Sequence, residues 1–136
     1  NLINARAETL LLKPSFKDSS RCLIPADGWY EWKTEGKKKA PYFHFMRDQS
    51  FCFAGIYGGY RGKVGCAIVT IEATENLKGI HNRMPAILDK SLYQGWLKSE
   101  EKDIYDLFIE AKVEVVKVST HVNNPVNDDE KCVLPI

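Results

Sequence analysis

Asp27-Gly28-Trp29-Tyr30-Glu31-Trp32 is the stretch on which the fold is read. Three large rings and one acid follow the turn-forming Pro25-Ala26-Asp27-Gly28, marking a strand over residues 29–33 after a short strand at Leu23-Ile24. Strand side chains alternate, so Trp29 and Glu31 share one face while Tyr30 and Trp32 share the other. An acid packed among rings loses hydration, which disfavours its charged form and raises its pKa toward the range of a general acid or base. The competing reading is a glutamate that points to solvent, and on this stretch alone that reading is the stronger. Two further polar clusters shift the balance.

Outward from this strand, residues 34–39 hold Gly36 and three lysines and read as a solvated hairpin tip rather than a phosphate contact. Residues 42–46 and 51–57 are aromatic-rich strands around the polar turn Arg47-Asp48-Gln49-Ser50. Gly58-Gly59-Tyr60-Arg61-Gly62 reads as a loop, and residues 66–71 as a fully buried strand. Residues 75–79 form one helical turn leading into His81, and residues 86–88 another short strand. Asp89 caps a helix through Leu97, with Leu92, Tyr93, Trp96 and Leu97 on one side. Ser99 caps a second helix, in which Ile104, Leu107, Phe108 and Ala111 form an apolar stripe that packs into the core. Residues 113–118 close with a strand, and residues 123–130 are loop-like. Without repeats or a linker, this pattern predicts one domain over residues 1–136, of α+β class, rich in strands, with its helices late in the chain.

The 136 residues suffice for a hydrophobic core, and 44% hydrophobic with 27% charged residues is ordinary globular composition. A net charge of +1 gives no global field for nucleic acid, although a local basic face remains compatible with it. No apolar stretch approaches a membrane span and no secretory signal is visible. Cys22, Cys52, Cys66 and Cys132 form no CxxC pair, so no zinc site is expected. The first three lie in apolar runs and read as small core residues in a reducing, cytoplasmic setting.

Three constellations carry chemistry. In Asn4-Ala5-Arg6-Ala7-Glu8, an extended backbone puts Asn4, Arg6 and Glu8 on one face suited to anions or amides, whereas a helix makes Asn4 and Glu8 a surface pair. Around Glu31, Trp29 either shields the acid, stacks on a base or fills the core. In Ile80-His81-Asn82-Arg83-Met84-Pro85, proline biases Met84 away from helix, and an extended piece sets His81 and Arg83 side by side to move a proton and hold an anion. Together these residues form an acid–base set with phosphate clamps.

At this point a resemblance enters. Asn-Ala-Arg-Ala-Glu, Arg21 through Trp32, Lys39-Ala40-Pro41-Tyr42-Phe43, Phe53-Ala54-Gly55-Ile56-Tyr57 and His81-Asn82-Arg83-Met84-Pro85 occur in this order. The late Val118-Ser119, Val122-Asn123 and Asn127-Asp128 add to it. Over nearly its whole length the chain resembles the SOS-response-associated peptidase (SRAP) family, whose fold implies curved mixed and antiparallel sheets.

The resemblance implies a sensor of abasic sites in single-stranded DNA. In the family, a cysteine exposed by removal of the initiator Met reacts through amine and thiol with the sugar aldehyde, giving a thiazolidine cross-link. It implies Asn4, Glu31 and His81 as catalytic residues: Asn4 holding the reacting terminus or sugar, Glu31 shuttling protons in self-processing, Schiff-base formation and reversal, His81 assisting ring opening. It implies Arg6 and Arg83 on DNA phosphates, and Trp29, read from the strand itself, is the aromatic surface expected to meet DNA beside them. No cofactor, metal or membrane is implied, and a monomer is expected. Asn82 stands where the family more often has Asp. The Met-Cys-Gly-Arg start of the family is not among these residues, and an internal cysteine has no free α-amine, so these 136 residues are expected not to cross-link while the parent protein does. The alternatives are a non-covalent single-stranded DNA-binding module and a hydrolase built on Glu31 and His81.

Overall fold

The computed structural model describes residues 3–10, 20–60, 62–98, 108 and 112–136. The chain divides into two compact units: Asn1–Ala26, Phe51–Glu72 and Arg83–Glu110 form the first, and Asp27–Ser50, Ala73–Asn82 and Ala111–Ile136 the second. It is a strand-rich α+β protein, as the alternation of its apolar residues predicts.

The first unit holds β1 (Ile3–Arg6), β2 (Ser20–Ala26), β5 (Phe51–Tyr60), β6 (Lys63–Glu72), β7 (Arg83–Pro85) and β8 (Ile87–Leu88) in one sheet. The sheet is mixed: β1 runs parallel to β6, and the other pairs are antiparallel. Its core gathers Ala5, Ile56, Ala67, Val69, Leu88 and Trp96. Trp96 lies on α1 (Tyr93–Lys98), wholly buried, and its Nε1 donates to the Cys22 carbonyl at 3.0 Å. Arg21 lies 4.3 Å over the Trp96 ring and donates to the Trp96 carbonyl, so the two anchor α1 to β2. Asp89 caps as predicted, accepting from the Ser91 amide, but it caps a 3-10 turn (Lys90–Leu92) that runs on into the helix. The expected helix over residues 99–111 lies outside the described residues, Phe108 excepted.

Three expectations are corrected in this unit. Leu97 is exposed, because the six-residue α1 presents only a narrow stripe led by Trp96. Gly58 and Gly59 extend β5 rather than form a loop, and pair with Gly65 and Val64 of β6. Cys66 is exposed, toward the open end of β6, where its partner across the sheet, Tyr57, is itself exposed.

The second unit is a three-stranded antiparallel sheet of β3 (Gly28–Glu35), β4 (Lys38–Phe45) and β9 (Glu114–Lys117). The hairpin tip sits at Gly36, whose φ of 63° is costly for a residue with a Cβ. The two-residue tip sets the register Trp29↔His44, Glu31↔Tyr42 and Tyr30↔Phe43. One face of the hairpin therefore carries Trp29, Glu31, Tyr42 and His44, and the other carries Tyr30, Trp32, Phe43 and Phe45. On the second face the rings pack together, with Tyr30 to Phe43 at 5.1 Å and Phe43 to Phe45 at 5.6 Å between centroids. Tyr30 also donates to the Cys132 carbonyl, and Trp32 Nε1 to Asn123 Oδ1, which ties the C-terminal segment to this face.

Candidate acid–base site

Glu31 takes its place from β3, midway along the face that starts at Trp29. Only 23% of its side chain is exposed, and this burial pushes its carboxyl above the usual carboxylate range, with the neighbouring His81 acting in the opposite direction. His81 arrives from a separate loop. The Ala73 amide donates to the Asn82 carbonyl at 3.0 Å and closes the loop base, while Leu77 is buried inside it. The His81 amide donates to the Leu77 carbonyl at 3.2 Å, so the backbone is still turning there. The loop brings His81 Nε2 to 4.0 Å from Glu31 Oε2, across 50 residues of sequence. This is ion-pair reach rather than a hydrogen bond. Half-exposed imidazole beside half-buried carboxyl is a pair that can pass a proton to a substrate atom placed between them.

Trp29 is buried and stacks on His44, with 4.9 Å between centroids and 26° between planes. A buried ring stacked on His44 fits filling the core or shielding Glu31 better than a platform for an incoming base. His44 was not expected here. It is 2% exposed, and burial lowers its pKa, so it stays neutral near pH 7. Its Nδ1 faces the Tyr42 carbonyl at 3.2 Å, and His81 lies near enough to disfavour its charging further. The hairpin register was the signal for it: a two-residue tip at Gly36-Lys37 pairs residues whose numbers sum to that of Glu31 and Tyr42.

The other expected site residues belong to the first unit. Asn4 and Arg6 lie on β1, both exposed, with Ala5 buried between them. The extended reading of this segment therefore holds for these two, and Glu8 follows in a 3-10 turn, Ala7–Thr9. Arg83 does not extend His81, as β7 begins only at Arg83. Its guanidinium makes a fork-to-fork pair with Glu8, Nη1 to Oε1 at 3.0 Å and Nη2 to Oε2 at 2.8 Å, and Nη2 also donates to the Thr70 carbonyl. Arg83 holds the Glu8 carboxyl below its usual range. Arg6 is thus the more open of the two arginines expected on phosphate, and Arg83 reaches an anion only in competition with Glu8.

A family model for SOS response associated peptidase (SRAP) matches residues 1–125. The chain is 36% identical over 148 aligned residues to the abasic site processing protein YoqW of Bacillus subtilis, covering 97% of this chain and 66% of that protein. It is 32% identical to the abasic site processing protein HMCES of Gallus gallus, covering 98% of this chain and 50% of that protein. A crystal structure of a Bacteroides thetaiotaomicron protein superimposes with a TM-score of 0.83 at 28% identity, over 98% of this chain and 66% of that one. The chain therefore spans two thirds or less of the length of these curated relatives. A matched family model over more than nine-tenths of the chain, with relatives above 30% identity, makes this chain a member of the SRAP family.

Proposed function

We propose that the chain carries the proton-transfer apparatus of an abasic-site processing protein that acts on single-stranded DNA. The observation that carries this reading is the 4.0 Å approach of a half-buried Glu31 to His81, in a chain whose relatives bear that name.

The chemistry suits such a pair. An amine that adds to the sugar aldehyde gives a carbinolamine, and its hydroxyl leaves as water once protonated, forming an imine. A thiol then adds through sulfur to the imine carbon, and its proton ends on the nitrogen, closing a thiazolidine. Each step moves one proton, and an acid with a raised pKa beside an imidazole supplies and retrieves it. Amine and thiol must come from one residue, an N-terminal cysteine, because Cys22, Cys52, Cys66 and Cys132 have their nitrogens in peptide bonds. In this reading that cysteine belongs to the full-length protein, outside these 136 residues. Asn4 orients the terminus or sugar by its amide, and Arg6, with Arg83, holds the DNA backbone. The protein works in the cytoplasm as a monomer, without a cofactor for this chemistry.

The test uses the full-length protein and single-stranded DNA with one abasic site. Covalent capture is read as a retained band on a denaturing gel, and affinity from non-denaturing titration. Glu31→Gln should slow initiator removal and cross-link reversal while leaving affinity nearly unchanged. Equal losses in rate and affinity make Glu31 structural, and no retained band from the parent protein defeats the covalent reading.

A further inference from the structure

Behind the hairpin that carries Glu31, the C-terminal segment brings His121, Asp129 and Cys132 together. One ligand atom from each, an imidazole nitrogen, a carboxylate oxygen and the sulfur, all lie within 4.8 Å of one another. We propose that this triad is a binding site for a zinc-class divalent cation, bracing the face of the hairpin opposite the acid–base pair. The proposal does not depend on the function argued above.

The ligand chemistry supports it. Imidazole, carboxylate and thiolate are the donors that zinc and cobalt take, and together they bring two negative charges to a doubly charged ion. Metal–ligand lengths near 2.0–2.3 Å separate tetrahedral ligand atoms by roughly 3.5 Å, so shifts of an ångström or less bring these three onto one centre. Three protein ligands leave a fourth position for water.

The local structure also aims the ligands. Asp129 caps the 3-10 turn Glu130–Cys132 through Oδ1, which accepts from the Lys131 amide at 2.9 Å. Its Oδ2 is thereby turned to His121 Nε2, also at 2.9 Å. Ser119 caps the 3-10 turn Thr120–Asn123 that bears His121. Cys132 is buried, with Sγ 3.6 Å from the Asn127 carbonyl, and its own carbonyl accepts from Tyr30. Asn127 Nδ2 donates to the His121 carbonyl at 2.7 Å and lies 3.2 Å from His121 Nδ1. Coordination takes a deprotonated imidazole nitrogen and releases the Cys132 thiol proton to solvent, while the Asn127 amide keeps its bond to the His121 carbonyl and holds the turn that bears the ring.

The experiment dialyses the full-length protein against chelator and titrates it with Co²⁺, then Zn²⁺. One Co²⁺ should bind per chain with a thiolate-to-cobalt charge-transfer band, and Zn²⁺ should abolish the band. Cys132→Ser should lose the band. Asp129→Asn keeps Oδ1 for the cap, folds by circular dichroism, and should weaken binding on the order of tenfold or more. Cys66→Ser, which removes the exposed thiol, should leave the band intact. The proposal is overturned if no stoichiometric binding is seen, if Cys66→Ser removes the band, or if Asp129→Asn binds as tightly as the parent. In each of those cases the triad is a hydrogen-bonded knot and nothing more.

Discussion

Glu31 and His81 come within 4.0 Å because a strand and a loop 50 residues apart are folded into the same three-stranded unit. Burial is the larger influence on Glu31, so its ionisation opposes folding. A carboxyl with a raised folded pKa contributes stability below its unfolded pKa and loses it as pH rises through the folded value. Glu31→Gln removes that loss. The variant should melt higher than the parent at neutral pH, and the gap should close as pH falls through the ordinary glutamate range. Melting curves of both proteins from pH 4 to pH 8 check this. A gap that stays constant across the range shows that Glu31 is not titrating in a buried setting.

Arg83 and Glu8 form a fork-to-fork pair in which Arg83 is 16% exposed and Glu8 41%. Removing the less exposed partner is the costlier change. Arg83→Ala should destabilise by about 1.5–3 kcal/mol, while Glu8→Gln should cost less than about 1 kcal/mol. The Glu8 contribution, from a lowered pKa, is present above the ordinary glutamate pKa and disappears as pH falls through the lowered one. Chemical denaturation of the two variants at neutral and acid pH measures both effects. If Arg83 also meets DNA phosphate, Glu8→Gln should raise affinity, and each of Arg6→Ala and Arg83→Ala should flatten the salt dependence by about one phosphate contact. Affinity unchanged in Glu8→Gln removes Arg83 from the set of phosphate contacts.

Gly28 opens β3 against β4, and a Cβ there would collide with the His44 carbonyl oxygen and the Phe43 ring. The carbonyl is backbone and cannot rotate aside. Gly28→Ala should therefore cost about 1–3 kcal/mol and displace the strand that holds Glu31. A lowered melting temperature together with a weaker pH dependence from Glu31 is the expected outcome. Full stability in Gly28→Ala contradicts the register Gly28↔Phe45.

The features legible in the sequence are local ones. The alternation of Trp29, Tyr30, Glu31 and Trp32 located the strand and its faces, and Asp89 marked a cap, because both depend on residues a few positions apart. Features that depend on distant partners were not legible. Cys66 sits in an apolar run, yet it lies toward the open end of β6 opposite the exposed Tyr57, a placement that depends on the pairing with β5. His44 meets Trp29 only through a register set by a two-residue tip, shorter than the loop that the composition of residues 34–39 predicts. His121 and Cys132 are joined through two 3-10 turns, whose spacing follows none of the usual ligand motifs. Arg83 begins a strand where His81 still turns: the bias from Pro85 reaches only Met84, which is extended, and the His81 amide is held by its hydrogen bond to the Leu77 carbonyl.

The parallel pairing of Ile3 with Ala67 and of Arg6 with Thr70 has a consequence for biosynthesis. On the ribosome β1 is made first among the strands described, but its partner among the described strands, β6, is completed more than 60 residues later. Pairing of the segment bearing Asn4 and Arg6 with β6 is therefore a non-local closure, which comes after the chain through β6 has been made.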